Sequence, residues 1–325
     1  MTIAIIGAAG MLGRKLAARL VAARWDDHLL LLDVVAPSAP AGFAGTADCR
    51  AADLALPGTA EALVAARPGI IFHLAAIVSA EAEVDFDKGY RINLDGTRAL
   101  FEAIRVAHLA DGYCPRVVFT SSCAVFGAPL PDPVPQHFHL TPLTSYGTQK
   151  AICELLLADY ARRGFFDGVG LRLPTICIRP GAPNRAASGF FSSILREPLI
   201  GREAILPVRD SLRHWHASPR AAVGFLLHAA RLDTAPLGAQ RNLTLPGLSA
   251  TVADQIEALR RVAGDAAVAL IRRVPDPAID AIVSGWAAGF DASEALALGF
   301  AADASFDAII AAHIEDELDG RIGPR

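Results

Sequence analysis

The segment Tyr146-Gly147-Thr148-Gln149-Lys150 places a phenol and an ammonium four residues apart. On a helix, positions i and i+4 share a face, so both groups can point into one cleft. A phenol of ordinary pKa, about 10, is a poor base at neutral pH, and a neighbouring cation favours its phenolate. The chain has three lysines (Lys15, Lys88 and Lys150) against 27 arginines, and four tyrosines. A lysine four residues after any tyrosine is then a roughly 4% accident by frequency. Where arginine is the habitual cation, a lysine suggests a task for a compact charge, such as bonding ribose hydroxyls. Thr120-Ser121-Ser122 ends an apolar run, with Ser122 lying 24 residues (146 − 122) before the tyrosine. A hydroxyl there can hold an oxygen beside the base during its oxidation. Serines at such places also serve as plain caps and turns.

A second constellation is Gly7-Ala8-Ala9-Gly10-Met11-Leu12-Gly13, directly after an apolar run and at the mouth of a helical stretch. Gly7 permits a tight turn, Gly10 lets backbone approach a pyrophosphate, and Gly13 lets helix pack on strand. Asp33 follows Gly13 by 20 residues (33 − 13), where a carboxylate accepts hydrogen bonds from an adenosine ribose. Val34 and Val35 follow it. A carboxylate with no arginine beside it repels a 2′-phosphate, which favours NAD over NADP. Asp53-Leu54 can reach an adenine, or Asp53 can cap the next helix.

Elements must hold these groups. Short apolar runs at Ile3–Ile6, His28–Leu32, Gly69–Leu74, Val117–Thr120 and Gly168–Leu173 read as strands buried on both faces. Between them, Met11–Arg24, Thr59–Arg67, Ile92–His108 and Ser145–Arg163 have helical spacing. This alternation implies an α/β fold, a Rossmann-type doubly wound parallel sheet. After about Pro174 the pattern changes, beginning with the Pro/Gly/Arg-rich run at 179–185. The expected organisation is therefore a dinucleotide-binding domain over 1–174 and a smaller, mainly substrate-binding lobe over 175–325. A segment near 213–245, with a helix at Pro219–Arg231 and a strand at Asn242–Leu245, is expected to rejoin the first domain.

Composition narrows the classes. A hydrophobic fraction of 53% over 325 residues supports a sizeable core, and the net charge of −4 offers no basic surface for nucleic acid. No apolar run reaches the ~18 residues of a membrane span. The N-terminus has no basic leader. Five scattered cysteines (Cys49, Cys114, Cys123, Cys153 and Cys177) without a CxxC fit free thiols in a reducing cytoplasm. His214 and His216 alternate without a third nearby ligand, so no metal site is expected.

In this order, the glycine run, Asp33, His73-Leu74-Ala75-Ala76, Asn93-Leu94-Asp95-Gly96-Thr97, Thr120 to Gly127 and Tyr146…Lys150 resemble the extended short-chain dehydrogenase/reductases. That superfamily contains the nucleotide-sugar epimerases and dehydratases, and the resemblance covers about residues 1–180. It implies NAD as cofactor, Tyr146 as acid/base, Lys150 on the nicotinamide ribose and Ser122 orienting substrate. It also implies cofactor contacts along Gly7, Gly10, Met11, Leu12, Gly13, Leu74, Ala75, Ala76 and Asn93. Leu171 to Thr175 resembles the strand passing the nicotinamide, adding Pro174 and Thr175. A homodimer through helices near 92–108 and 145–163 is implied by the same analogy.

Two segments depart from the epimerase pattern. Thr175 stands where Leu-Arg-x-x-Asn has asparagine, and Arg213-His214-Trp215-His216-Ala217-Ser218-Pro219-Arg220 replaces the later nucleotide-holding segment. The second pattern is similar to the branch that oxidises the C2 hydroxyl of four-carbon sugar acids such as D-erythronate to 2-oxo acids with NAD. A small acid needs a cationic anchor, for which Arg172, Arg179 and Arg213 are candidates. Each can equally sit in a structural ion pair. Trp215 can wall the substrate pocket or pack in its lobe. Two other readings stay open: a nucleotide-sugar epimerase or dehydratase that retains NAD, and a non-catalytic NAD-sensing protein.

Overall fold

The computed structural model describes residues 1–25, 28–181 and 187–323. Part of the Pro/Gly/Arg-rich run, 182–185, lies outside the described residues. The first half contains β1 (Thr2–Ile6), α1 (Met11–Ala22), β2 (His28–Asp33), β3 (Thr46–Ala51), α2 (Thr59–Ala65) and β4 (Ile70–His73). Short helices α3 (Ser79–Val84) and α4 (Phe86–Gly89) lead to a π-helical turn at Tyr90–Asp95, then α5 (Gly96–Asp111), β5 (Arg116–Ser122) and α6 (Ser145–Arg162). There follow β6 (Asp167–Leu173), β7 (Thr175–Ile176), α7 (Gly189–Leu199), β8 (Ala204–Leu206), β9 (Arg213–Ala217), α8 (Pro219–Arg231) and β10 (Asn242–Thr244). The chain ends through β11 (Leu248–Thr251), α9 (Val252–Val268), β12 (Ile271–Arg273), α10 (Pro277–Ser284), α11 (Ser293–Ala297) and α12 (Phe306–Glu317).

Seven strands form the main sheet in the order β10-β6-β5-β4-β1-β2-β3. The pairs β1–β2, β1–β4, β2–β3 and β4–β5 are parallel, with Ile3 opposite both Leu29 and Ile70. The order moves outward from β1 in both directions, so the loop after β1 lies at the topological switch point. On one sheet face, Ala4, Ile6, Leu30, Leu32, Ile71 and Phe119 pack with Leu63 of α2, Leu100 and Ile104 of α5, and Leu157 of α6. Continuous burial on these strands follows from helices covering the sheet.

The chain resolves into two compact units. The first comprises Met1–Val125, Pro142–Arg172 and Val223–Leu243; the second comprises Phe126–Thr141, Leu173–Ala222 and Thr244–Arg325. Of the 213–245 segment, β10 pairs into the main sheet, whereas β9 belongs to a three-stranded sheet of order β11-β9-β7. In the second unit β9 pairs antiparallel with β11 and parallel with β7. Its core gathers Phe191, Ile194 and Leu195 of α7 with Ile256 and Leu259 of α9 and Ile309 and Ile310 of α12.

One helix expectation changes in detail. The stretch read as a helix over 92–108 begins with the π-helical turn and continues as α5 to Asp111. A π turn closes i→i+5 bonds and inserts one residue into the helical period. The insertion coincides with Asn93, whose buried side chain serves the site described next.

Candidate active site

The glycine loop is shaped by three separate constraints. Gly7 has φ +91, and a Cβ there would lie 2.7 Å from the Ala75 nitrogen. A Cβ on Gly13 would meet the Gly7 carbonyl oxygen at 2.2 Å, because α1 packs directly on the turn. Gly10 differs: its φ is −69, and the same construction finds only the Gly7 oxygen, at 3.3 Å. Gly10 therefore leaves open space above the N-terminus of α1. No side chain caps that helix and its first turn holds no acidic residue, so the N–H groups of Met11, Leu12 and Gly13 keep their positive field. This cradle fits a pyrophosphate.

The carboxylate of Asp33 closes the other side. Gly7 and Ala8 donate to the Leu32 carbonyl at 2.8 and 3.1 Å, and Ala9 N–H donates to Asp33 Oδ2 at 2.9 Å. Val35 N–H donates to Asp33 Oδ1 at 3.3 Å, while the Val34 and Val35 side chains are exposed. A carboxylate oxygen accepts more than one bond, so Asp33 retains capacity for ribose hydroxyls. Asp53 accepts from Ala55 N–H at 2.9 Å and from Arg91 Nη1 at 2.6 Å, beside buried Leu54. It thus caps its own turn and holds an ion pair.

Asn93 holds the loop after β4. Its Oδ1 accepts from Ile77 N–H at 2.9 Å, and its Nδ2 donates to Ile77 O at 3.2 Å and to Gln149 Oε1 at 2.8 Å. The Leu74-Ala75-Ala76 backbone is thereby fixed between the Leu74 bond to the Ile6 carbonyl, 2.8 Å, and this clamp. His73 is fully buried and shares a 2.8 Å hydrogen bond with Thr97 Oγ1. Burial pushes its pKa down to about 3, so the ring is neutral.

Helix α6 delivers the phenol and the ammonium. Thr144 caps it, accepting from Gly147 N–H at 3.0 Å. A Cβ on Gly147 would lie 2.2 Å from the Ala124 carbonyl oxygen, so glycine lets the first turn of α6 rest on the segment after β5. That approach sets the first turn of α6, which carries Tyr146, against the segment that follows Ser122, whose Oγ accepts from Ala124 N–H at 3.1 Å and keeps its proton to donate. Lys150 Nζ donates to the Thr120 carbonyl at 2.8 Å and lies 5.8 Å from the Tyr146 ring centre. Burial pushes the Lys150 pKa down to about 8, with Cys153 and Glu154 opposing the shift. It remains mainly an ammonium at neutral pH.

The arginine candidates separate. Arg172, expected as a carboxylate anchor, is committed instead to Glu154 through Nε at 3.0 and 3.1 Å and Nη2 at 2.8 Å, with side-chain exposures of 8% and 1%. Withdrawing that charge would leave Glu154 buried without its cation. In the second unit, Arg179 Nε donates to Ile176 O at 3.2 Å and its carbonyl accepts from Arg196 Nη1 at 2.7 Å. Arg213 is exposed and its Nη1 donates to Ser249 O at 3.3 Å. Trp215 Nε1 donates to Leu245 O at 3.2 Å and its ring meets Phe290 edge-on. Beside buried Pro174, Thr175 Oγ1 lies 2.7 Å from His214 Nε2. His214 Nδ1 faces the Ala287 carbonyl at 3.2 Å, so it carries the proton and Nε2 accepts from Thr175. Among the described residues, no three His, Cys, Asp or Glu side chains form a metal-ligand group, and no helix is long and apolar enough to cross a membrane.

Sequence reading missed the π turn, the Asn93–Gln149 bond, the Thr175–His214 bond and Glu154. Glu154 carried a signal in its place four residues after Lys150, on the same helical stripe.

A model of the NAD dependent epimerase/dehydratase family matches residues 3–235. The chain belongs to this family. A D-erythronate dehydrogenase from Cupriavidus necator is 48% identical over 330 residues, covering 97% of this chain and 98% of that protein. A second, from Haemophilus influenzae, is 43% identical over 320 residues, covering 98% and 100%. A solved structure described as the nucleoside-diphosphate-sugar epimerase from Agrobacterium tumefaciens is 69% identical with TM-score 0.97, covering 98% of this chain and 95% of that one. The L-threonine dehydrogenase from Cupriavidus necator in its holo form has TM-score 0.84 at 23% identity, covering 97% and 99%, and shares the fold. This epimerase/dehydratase family member uses NAD, for which the open Gly10 cradle and the Asp33 carboxylate are suited.

Proposed function

We propose that this family member oxidises the C2 hydroxyl of a small sugar acid, D-erythronate, to 2-oxo-tetronate. The observation that carries the reading is full-length similarity to two D-erythronate dehydrogenases. The site chemistry supports it. Tyr146 takes the proton of the hydroxyl, Ser122 donates to the same oxygen and holds it in line, and Lys150 binds the nicotinamide ribose and favours the phenolate. Bound NAD supplies the acceptor for the hydride leaving C2. Gly7, Gly10, Met11, Leu12 and Gly13 take the pyrophosphate, Asp33 the adenosine ribose, and Asp53 and Leu54 the adenine side. Leu74, Ala75, Ala76 and Asn93 follow the cofactor, and Pro174 and Thr175 are assigned to it as well. Arg179 or Arg213 pairs with the substrate carboxylate and Trp215 lines its pocket.

A nucleotide-sugar epimerase is the second reading, because the 69% identical structure is described as one. Against it, a UDP-glucose 4-epimerase from Rhizobium leguminosarum matches only 34% of this chain, at 34% identity. The deciding experiment supplies NAD with D-erythronate, or a UDP- or dTDP-sugar, and follows NADH and the product. A 2-oxo acid with equimolar NADH supports the dehydrogenase; an isomerised sugar without NADH supports the epimerase.

The first domain, 1–174 with a return near 213–245, serves NAD in this reading, and 175–325 serves substrate. A homodimer through α5 and α6 is consistent with exposed Val106, Leu109 and Leu155 on those helices. Five free cysteines suit a reducing cytoplasm.

A further inference from the structure

Glu154 is an almost completely buried carboxylate that the chemistry above does not use. It lies on α6 one turn after Lys150 and two turns after Tyr146, on a single i, i+4, i+8 stripe. Its Oε1 accepts from the Ser121 hydroxyl at 2.5 Å, and both oxygens accept from Arg172 of β6. Its backbone carbonyl accepts from Asn242 Nδ2 at 3.1 Å. Lys150 meanwhile holds the Thr120 carbonyl. Two consecutive residues of β5 are thus held by two residues one turn apart on α6, and the next strand residue is Ser122. On its other side, the Cys123 thiol lies 3.8 Å from the Arg172 carbonyl.

We propose that Glu154 is a positioning residue for the reaction: bridging Ser121 and Arg172, it fixes the register of α6 against β5 and thereby aligns Tyr146 with Ser122. The proposal rests on the roles of Ser122, Tyr146 and Lys150 given above. A buried ion pair gains little stability over apolar side chains of equal volume, so stability alone does not account for this arrangement. What the pair supplies is direction. Sliding α6 by one strand residue, about 3.3 Å, breaks both links at once. The carboxylate also supports the ammonium. The groups around Lys150 are His73 on β4, Tyr146, Cys153 and Glu154 on α6, and Arg172 on β6, which acts through Glu154. His73 is neutral, so Glu154 is the anion of this set.

The test compares E154Q, the double variant E154L/R172M and S121A for thermal stability, NAD affinity, kcat and its pH profile with D-erythronate. E154Q is expected to lower both stability and kcat. The double variant removes both members of the Glu154–Arg172 ion pair together, so its stability should recover relative to E154Q. Its kcat should stay about tenfold or more below wild type, since a misplacement near 1 Å costs up to about a hundredfold. Its alkaline limb should move to lower pH, because Lys150 loses the carboxylate that favours its charged form. S121A should lower kcat severalfold with NAD affinity retained, and it tests the same link if the double variant fails to fold. Recovery of kcat together with stability, or wild-type kcat in S121A, overturns the proposal. Wild-type enzyme inert toward D-erythronate but active on a nucleotide sugar refutes the dehydrogenase reading instead. The same variants are then read with that sugar, where the same pattern supports positioning and its absence overturns it.

Discussion

Gly10→Ala separates folding from cofactor binding. Gly10 has φ −69 and ψ 167, a conformation any residue adopts, and a Cβ there meets only the Gly7 oxygen, at 3.3 Å. Alanine is a poorer N-cap than glycine, at a cost of roughly 0.5–1 kcal/mol. The smaller conformational freedom of alanine in the unfolded chain returns about 0.4–1 kcal/mol. Net stability should therefore change by less than about 1 kcal/mol. The methyl group projects into the open space assigned to the pyrophosphate. Loss of the backbone contacts there should weaken NAD at least about tenfold, or about 1.4 kcal/mol. Gly13→Ala is the contrast: its Cβ would sit 2.2 Å from the Gly7 oxygen and 2.7 Å from Ala8 Cα. Such overpacking costs about 1–3 kcal/mol or more in folding. Urea unfolding and calorimetric NAD titration of both variants check the pair. Wild-type NAD affinity in a folded Gly10→Ala enzyme would refute the placement of the pyrophosphate.

Tyr146→Phe should lower kcat roughly 10²–10⁴-fold with NAD affinity retained, since only the proton acceptor is removed; near-wild-type turnover rules Tyr146 out as the base. Asp33→Ser with Val34→Arg should weaken NAD and admit NADP, measured as the ratio of kcat/KM for the two cofactors; a wild-type preference for NADP contradicts the ribose assignment. His73 and His214 have folded pKa values pushed by burial down to about 3 and about 4, and burial also holds His216 well below 6.5. Below pH 6.5 the unfolded chain binds protons that the folded chain excludes, so stability falls as pH drops, by up to roughly 1.4 kcal/mol per pH unit per histidine. Unfolding near pH 5.5 should take up at least about two protons, and uptake near zero contradicts the neutral buried rings.

Local spacing made the nucleotide loop and the Tyr146…Lys150 pair legible, because strand-turn-helix signals and the i, i+4 rule act within a few residues. Strands β1, β2, β4, β5 and β6 of the main sheet were readable for a similar reason: burial on both faces leaves continuous apolar runs such as Ile3–Ile6, whereas the half-exposed edge strand β3 carries no such run. Partners distant in sequence were not readable. Nothing near Arg172 shows that Glu154, on another element, takes its charge, so it looked like a substrate anchor. The π turn at Tyr90–Asp95 escaped because one inserted residue barely disturbs a helical pattern, yet it aims Asn93 at Ile77 and Gln149. His214 and His216 suggested a metal only through their alternation. In the fold they bond Thr175 and Gln255 and pack around Phe191.

The central claim is that this chain oxidises a free four-carbon sugar acid with NAD. Purified enzyme incubated with NAD and D-erythronate, with UDP- and dTDP-sugars in parallel, tests it most directly through NADH formation and product analysis. The expected result is one NADH per D-erythronate consumed, appearance of 2-oxo-tetronate, and no reaction of the nucleotide sugars. Isomerisation of a nucleotide sugar without NADH, and no oxidation of the acid, would contradict it.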